Sequence, residues 1–255
     1  GSRQYGDQAE KIFFNAGPVP ISRNFQTMCY YQSSNRISMN FPEDEPAHPG
    51  NDSYVYSETG HEVLCCVGNS NRIIPNYITN MWMETSDKGL AATLYGPSRV
   101  KTNINGKSLI IKSSTDYPFE ENIQMTISTK ENKFPLHLRI PSWCKNPKLT
   151  INGEKEEIKV NDRGFAVINR TWKSGDKIKL SFPKTIKVIQ GRETGYPEVS
   201  YFHELDGVRR IAKTSKEINN PYSSVIYGPL LFAYPIPDQG PNTPQLTVPY
   251  NFALN

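Results

Sequence analysis

After Asp87-Lys88-Gly89 the apolar residues of this chain stop recurring every three or four positions and begin to alternate. A period near 3.6 lines up one stripe of a helix, whereas a period of 2 fills one face of a strand. Beyond that boundary the segments 90–95, 108–113, 122–129, 136–140, 148–151, 156–160, 165–168, 177–182 and 186–189 each read as a strand. Asn105-Gly106, Asn152-Gly153, Arg163-Gly164 and Ser174-Gly175-Asp176 separate them. Asn-Gly suits a two-residue hairpin turn because both residues tolerate positive φ. Strands repeating at about 8–12 residues build a β-sandwich. The expected fold class is mainly β, with a jelly-roll-like β-sandwich over 90–190. A helical stretch within 1–89 precedes it, and 191–255 forms a partial second sandwich or return strands, including 199–202 and 225–234.

Two helices are expected upstream. Ala9, Ile12 and Phe13, with Glu10 and Lys11 between them, suit a short amphipathic helix from Tyr5 to about Ala16, stopped by Gly17-Pro18. Residues 17–60 read as irregular chain, with Pro42, Pro46, Pro49 and Gly50 around a solvated Glu43-Asp44-Glu45 run. Ile73, Ile74, Tyr77, Ile78, Met81 and Trp82 then predict a helix from Asn69 to about Glu84, capped by Asn69 or Ser70, with Pro75 in its first turn.

Charge excludes two classes of partner. The 29 Lys and Arg are interleaved with 25 Asp and Glu, so no basic arm or polybasic patch is present for nucleic acid or a membrane surface. No apolar run approaches the roughly 18 residues of a membrane span. With 36% hydrophobic residues the chain can bury a core and is not a disordered polar segment.

Four cysteines, Cys29, Cys65, Cys66 and Cys144, are too few for a disulfide-built scaffold of this length. Cys65 and Cys66 are adjacent, a spacing that strains a mutual disulfide. With Glu58, His61 and Glu62 they form the densest reactive cluster in the chain, just ahead of the second helix. Thiolates bind zinc, and a helix N-terminus lowers a thiol's pKa, so either effect would make the pair nucleophilic. From spacing alone the pair reads first as two small buried hydrophobes beside a polar loop. Trp143-Cys144 at a strand end reads as core packing. His48 and His137 have no partner at metal-ligand spacing, and His203-Glu204 is a candidate cleft-lining pair.

The string C-C-V-G-N-S-N-R-I-I-P-N-Y at 65–77, continued by M-W-M and by L-A-A-T-L-Y-G-P-S at 90–98, resembles the cysteine-pair region of glycoside hydrolase family 127, the β-L-arabinofuranosidase-like group. Y-G-D-Q-A-E-K-I-F-F-N at 5–15 is similar to that family's Asp-x-x-Glu-x-x-x-x-Asn helix. T-D-Y-P-F at 115–119, L-R-I-P-S-W-C at 138–144, I-N-G at 151–153, N-R-T-W-K-S-G-D at 169–176 and Y-G-P-L at 227–230 resemble its β-sandwich motifs in order.

The resemblance implies a retaining, zinc-dependent cysteine glycoside hydrolase acting on arabinose-containing plant glycans. Cys65 would be the catalytic nucleophile, Cys65 and Cys66 would both bind zinc, and the partner would be a carbohydrate substrate. The family's other zinc ligands, a Glu and a Cys, and its acid/base Glu lie upstream of the helix that begins here at Tyr5. The helical stretch then corresponds to the remnant of an (α/α) barrel, and the chain is expected to be nearly inactive without that barrel. No family role carries onto Glu58, His61 or Glu62, and Val67-Gly68 stands where relatives often have Pro. A secreted or periplasmic setting fits a glycan-degrading parent, and the opening Gly1-Ser2 resembles a protease-cleavage scar. Two alternatives remain. One is a non-catalytic carbohydrate-binding or structural module using Trp143, Trp172, Tyr117, Tyr196 and Tyr201 as stacking rings. The other is an assembly in which a separate chain supplies the barrel.

Overall fold

In the computed structural model, residues 1–17, 21, 64–194, 201–205, 208–212 and 219–232 are described, with the backbone alone at 64–68, 70–71, 193–194, 201–205, 208–212 and 219–220. Two sheets form the centre. The first contains β1 (Trp82–Glu84), β2 (Leu90–Ala92), β6 (Asn132–Arg139) and β9 (Phe165–Trp172) in that order. The second runs β3 (Ser98–Ile104), β4 (Lys107–Ser114), β5 (Asn122–Thr129), β10 (Lys177–Ser181), β7 (Lys148–Ile151) and β8 (Glu154–Glu156). Neighbours pair antiparallel except β2 with β6, which run parallel.

Alternation dictates what lies between them. On β5, Ile123, Met125 and Ile127 point inward while Gln124, Thr126 and Ser128 are exposed. Leu109, Ile111, Leu136, Leu138, Trp172, Ile178 and Leu180 complete one continuous core. Trp172 keeps its indole N–H satisfied inside that core by donating to the Phe134 carbonyl at 3.1 Å. Ile111 is fully buried, so Ile111→Val is expected to cost about 0.5–1.5 kcal/mol. A urea titration should show a lower midpoint with an unchanged slope.

The Asn-Gly turns close as expected. Asn105 and Gly106 have φ of 53° and 72° between β3 and β4, and Asn152 and Gly153 have 53° and 90° between β7 and β8. The chain continues into β11 (Ile186–Thr194), β12 (Tyr201–Leu205), β13 (Val208–Ala212), β14 (Asn219–Tyr227) and β15 (Leu230–Phe232). Here β11, β14 and β15 form one sheet, and β12 and β13 form a hairpin.

The helical part departs from expectation in three ways. First, α1 (Arg3–Lys11) ends in a single π-turn over Ile12–Ala16, closed by the Gly17 N–H donating to the Ile12 carbonyl at 2.9 Å. Second, α2 (Leu64–Thr79) starts earlier than predicted, so Asn69 and Ser70 lie inside it rather than capping it, and Pro75 sits near its C-terminal end. Third, α2 stops at Thr79, and Trp82–Glu84 leaves the helical pattern to become the edge strand β1. The Asn80 side chain, donating to the Asn76 carbonyl at 2.8 Å, satisfies an acceptor the ending helix leaves open.

Two strand expectations also shift. Residues 93–95 leave the sheet after Ala92 because their polar groups bond the helical region instead. The Thr93 N–H donates to the Met81 carbonyl at 2.9 Å, and the Tyr95 N–H donates to Glu10. Of the segment 156–160, only Glu156 lies in a strand, and Val160 makes an isolated bridge to Ala166. No helix among the described residues is long and apolar enough to cross a membrane.

Candidate active site

The adjacent cysteines fall at the second and third positions of α2. An α-helix leaves its first backbone N–H groups without intrahelical acceptors, and the aligned peptide dipoles put partial positive charge there. Cys65 and Cys66 therefore sit at the end of α2 that carries this partial positive charge. Their side chains lie outside the described residues, as do Cys29, His48, Glu58, His61, Glu62 and Tyr196. For His203, Glu204 and Tyr201 only the backbone on β12 is described, with His203 opposite Arg210 and Glu204 opposite Arg209. Among the described residues no group of three His, Cys, Asp or Glu side chains could hold a metal ion.

The seat of this helix is built around Arg139, the last residue of β6. Leu136 and Leu138 face the sandwich core, so His137 and Arg139 face outward on the opposite side of the strand. Arg139 is nevertheless only 1% exposed because α1 covers it. Its guanidinium pairs with Asp7 and Glu10 and donates from Nε to the Thr93 carbonyl. Asp7 also accepts the Ser142 N–H at 3.0 Å, while Glu10 accepts the Tyr117 hydroxyl at 2.7 Å and the Tyr95 N–H at 3.2 Å. Tyr95 returns its own hydroxyl to the Arg139 carbonyl at 2.6 Å.

Glu10, expected on the polar side of the first helix, is instead completely buried. Burial pushes its carboxyl above the ordinary value of 4.5, against the opposing pull of Arg139 and of the Tyr117 and Tyr95 donors. Burial likewise drives the Tyr95 and Tyr117 hydroxyls upward, with the Glu10 charge adding to it, so both remain hydrogen-bond donors across the neutral range.

Beyond Glu10, α1 reaches α2. The Phe13 ring stacks on Tyr77 with centroids 3.9 Å apart and planes at 14°, and Phe14 meets the same ring edge-on at 5.7 Å. Tyr77 donates its hydroxyl to the Tyr95 carbonyl at 2.9 Å. Farther on, the Asn15 side chain donates to the Pro229 carbonyl at 2.8 Å and accepts the Leu231 N–H at 2.7 Å, tying α1 to β15. Asp7, Glu10 and Asn15 are the three named positions of the Asp-x-x-Glu-x-x-x-x-Asn pattern; the first two share Arg139, and the third bonds Pro229 and Leu231.

Comparison with known proteins gives a family for the sandwich segment. A family model, the GH127 middle domain of β-L-arabinofuranosidases, matches residues 89–184. This segment belongs to the GH127 family. Among solved structures, the chain is similar to Ara127N, a GH127 β-L-arabinofuranosidase from Geobacillus stearothermophilus T6. That match has 26% identity and a TM-score of 0.62, and covers 90% of this chain and 32% of that one. A glycoside hydrolase matches at 24% identity with TM-score 0.64, covering 91% of this chain and 34% of its own. A GH127 β-arabinofuranosidase matches at 20% identity with TM-score 0.61, covering 91% and 33%. The chain thus spans about a third of the length of these structures. No curated protein sequence matches it.

Within the GH127 segment the remaining candidates are structural. Cys144 lies in the core, where burial pushes its thiol up to about 11. Iodoacetamide at pH 8 is expected to leave Cys144 unmodified in the folded chain and to alkylate it once urea unfolds the sandwich. Peptide mass analysis checks this, and modification of Cys144 under native conditions would contradict the packing. His137 pairs with Asp87 at 2.9 Å on the outer face of β6, and the Thr85 hydroxyl is the main cause holding the Asp87 carboxyl below its ordinary value. Trp172 and Tyr117 are sealed in the core, and Trp143 packs half-buried against Phe182. Trp172 and Tyr117 therefore offer no exposed platform for a sugar.

Proposed function

We propose that this chain carries the nucleophile of a retaining glycoside hydrolase acting on arabinofuranosides, with Cys65 attacking the anomeric carbon and Cys66 beside it as a metal ligand. The observation that carries this reading is the placement of two adjacent cysteines in the first turn of α2, in a chain whose following segment is a GH127 middle domain. Similarity to β-L-arabinofuranosidases supports the sugar class, arabinose-containing plant glycans.

The donor chemistry fits zinc. Two consecutive thiols supply soft sulfur ligands at a helix end that already favours their ionised form. Cys65 and Cys66 would hold the ion, with the remaining ligands, a Glu and a Cys, coming from the helical barrel. A bound zinc ion would keep its cysteine ligands deprotonated at neutral pH.

The chemistry assigned to the chain's own residues balances over two displacements. The Cys65 thiolate donates an electron pair to the anomeric carbon, the glycosidic C–O bond breaks, and a carboxylic acid from the barrel protonates the departing oxygen. Water activated by the resulting carboxylate then attacks the same carbon, and the Cys65 sulfur leaves as thiolate. Two inversions give net retention. Without a general acid the first step loses a contribution of about 10²–10⁴-fold, so the 255 residues alone are expected to turn over substrate only at trace rates.

The test is hydrolysis of an aryl β-L-arabinofuranoside by this chain alone and by a form carrying the helical barrel. Turnover confined to the barrel-bearing form, giving the retained anomer, is the expected result. Equal turnover by both would overturn the division of the site.

A further inference from the structure

The distance between the reactive end of α2 and its seat is the observation that matters here. Cys65 and Tyr77 are separated along the helix by about 18 Å at a rise of about 1.5 Å per residue. The described anchors of α2 all lie near its other end: Tyr77 against Phe13, Phe14 and the Tyr95 carbonyl, and Ile73 beside Gly17. Held at that seat, the helix carries a displacement on to its first turn. A tilt of about 3° about Tyr77 moves the first turn by about 1 Å, a misplacement that can cost about 10²-fold in rate.

What fixes that tilt is itself fixed by the sandwich. Phe13 lies one helical turn beyond Glu10, and Glu10 and Asp7 hold the same guanidinium at the end of β6. Tyr95 serves both helices at once, giving its N–H to Glu10 and its carbonyl to the Tyr77 hydroxyl. Gly6 permits the approach, because a Cβ there would stand 2.5 Å from the Arg139 side chain.

We propose that Arg139, Glu10, Phe13 and Tyr77 form a positioning train through which the β-sandwich sets the tilt of α2, and with it the placement of Cys65 and Cys66. None of the four touches substrate; they act through the helix. The proposal rests on the reading of Cys65 as nucleophile but concerns the geometry of the rod.

The experiment reads that geometry directly. Nitroxide labels are placed at Asn69→Cys on α2 and Lys101→Cys on β3, with Cys29, Cys65 and Cys66 replaced by Ser and buried Cys144 left in place. Pulsed electron spin resonance should give one narrow distance in this background. Phe13→Leu keeps apolar volume but removes the stack, and is expected to shift or broaden the distance while Cys144 stays protected from alkylation. Phe13→Tyr restores the ring and should restore the narrow distance. If Phe13→Leu exposes Cys144, Tyr77→Phe, which removes only the bond to the Tyr95 carbonyl, decides instead by the same criterion. In the barrel-bearing form with its cysteines intact, Phe13→Leu is expected to lower kcat roughly 10–100-fold with KM within about twofold, since only the reacting atom is misplaced.

An unchanged distance distribution in a folded variant overturns the proposal and leaves the nucleophile reading standing. A shifted distribution together with full activity of Cys65→Ala does the reverse. A shifted distribution with unchanged kcat overturns the catalytic part of the proposal.

Discussion

Arg139→Met is expected to destabilise the fold by about 3–5 kcal/mol, the range for removing one member of a buried ion pair and leaving the other unpaired. Glu10 is fully buried, and with the guanidinium gone its charge is left to neutral donors such as the Tyr117 hydroxyl and the Tyr95 N–H. Asp7, at 16% exposure, can turn to water and should add little to the loss. The loss carries a pH signature. With Arg139 removed, the folded-state pKa of Glu10 rises further above its ordinary 4.5, so the folded protein holds that proton more tightly than the unfolded chain. Stability of the variant therefore recovers as the pH falls through the raised folded value toward 4.5, and the penalty is greatest above that window. Adding Glu10→Met to Arg139→Met should recover much of the loss at neutral pH, because an apolar replacement of both partners removes the stranded charge. Urea unfolding at several pH values measures all of this. A penalty that is the same at acid and neutral pH, and untouched by the second substitution, would mean that Arg139 contributes through packing alone.

Cys65→Ala in the barrel-bearing form is expected to reduce hydrolysis by roughly 10⁴–10⁶-fold, the scale on which removing a covalent nucleophile acts. Cys66→Ala is expected to cost less in direct chemistry but to release zinc, and its defect should deepen with chelator and ease with added metal. Cys65→Ala should respond to neither, since no metal concentration replaces an absent sulfur. Steady-state kinetics with zinc titration separates the two roles.

The sandwich was legible because its causes are local. Strands such as Asn122–Thr129 and Lys148–Ile151 end where alternation ends, and the Asn-Gly turns demand positive φ that few other residue pairs tolerate. The edge strand β3 escaped because only Val100 and Ile104 supply an apolar pattern on a strand that is half solvated. Trp82 and Met81 fitted the helical stripe of α2, yet Met81 is needed by Thr93 and Trp82 by β2, so tertiary bonds overrode a period that would have continued.

The position of the cysteine pair near a helix start was readable from sequence, whereas its mounting was not. Glu10 looked like a surface residue because its partner Arg139 is 129 positions away, and periodicity carries no information about such a pairing. The motifs that resemble the family are separate strings in the sequence. Folding brings Asp7, Glu10, Tyr95, Tyr117 and Arg139 from four of those strings into one buried cluster. That convergence gives the strings a physical reason to occur in one chain.

The most direct measurement traps the sulfur in the act. The barrel-bearing form is mixed with an aryl β-L-arabinofuranoside whose good leaving group speeds the first step and makes the second rate-limiting, quenched in acid, and digested for peptide mass analysis. A single pentosyl unit on the peptide containing Cys65, absent from Cys65→Ala, is the predicted result. A pentosyl unit on a carboxylate, or an inverted product with no protein adduct at any time, would contradict the assignment of Cys65 as nucleophile.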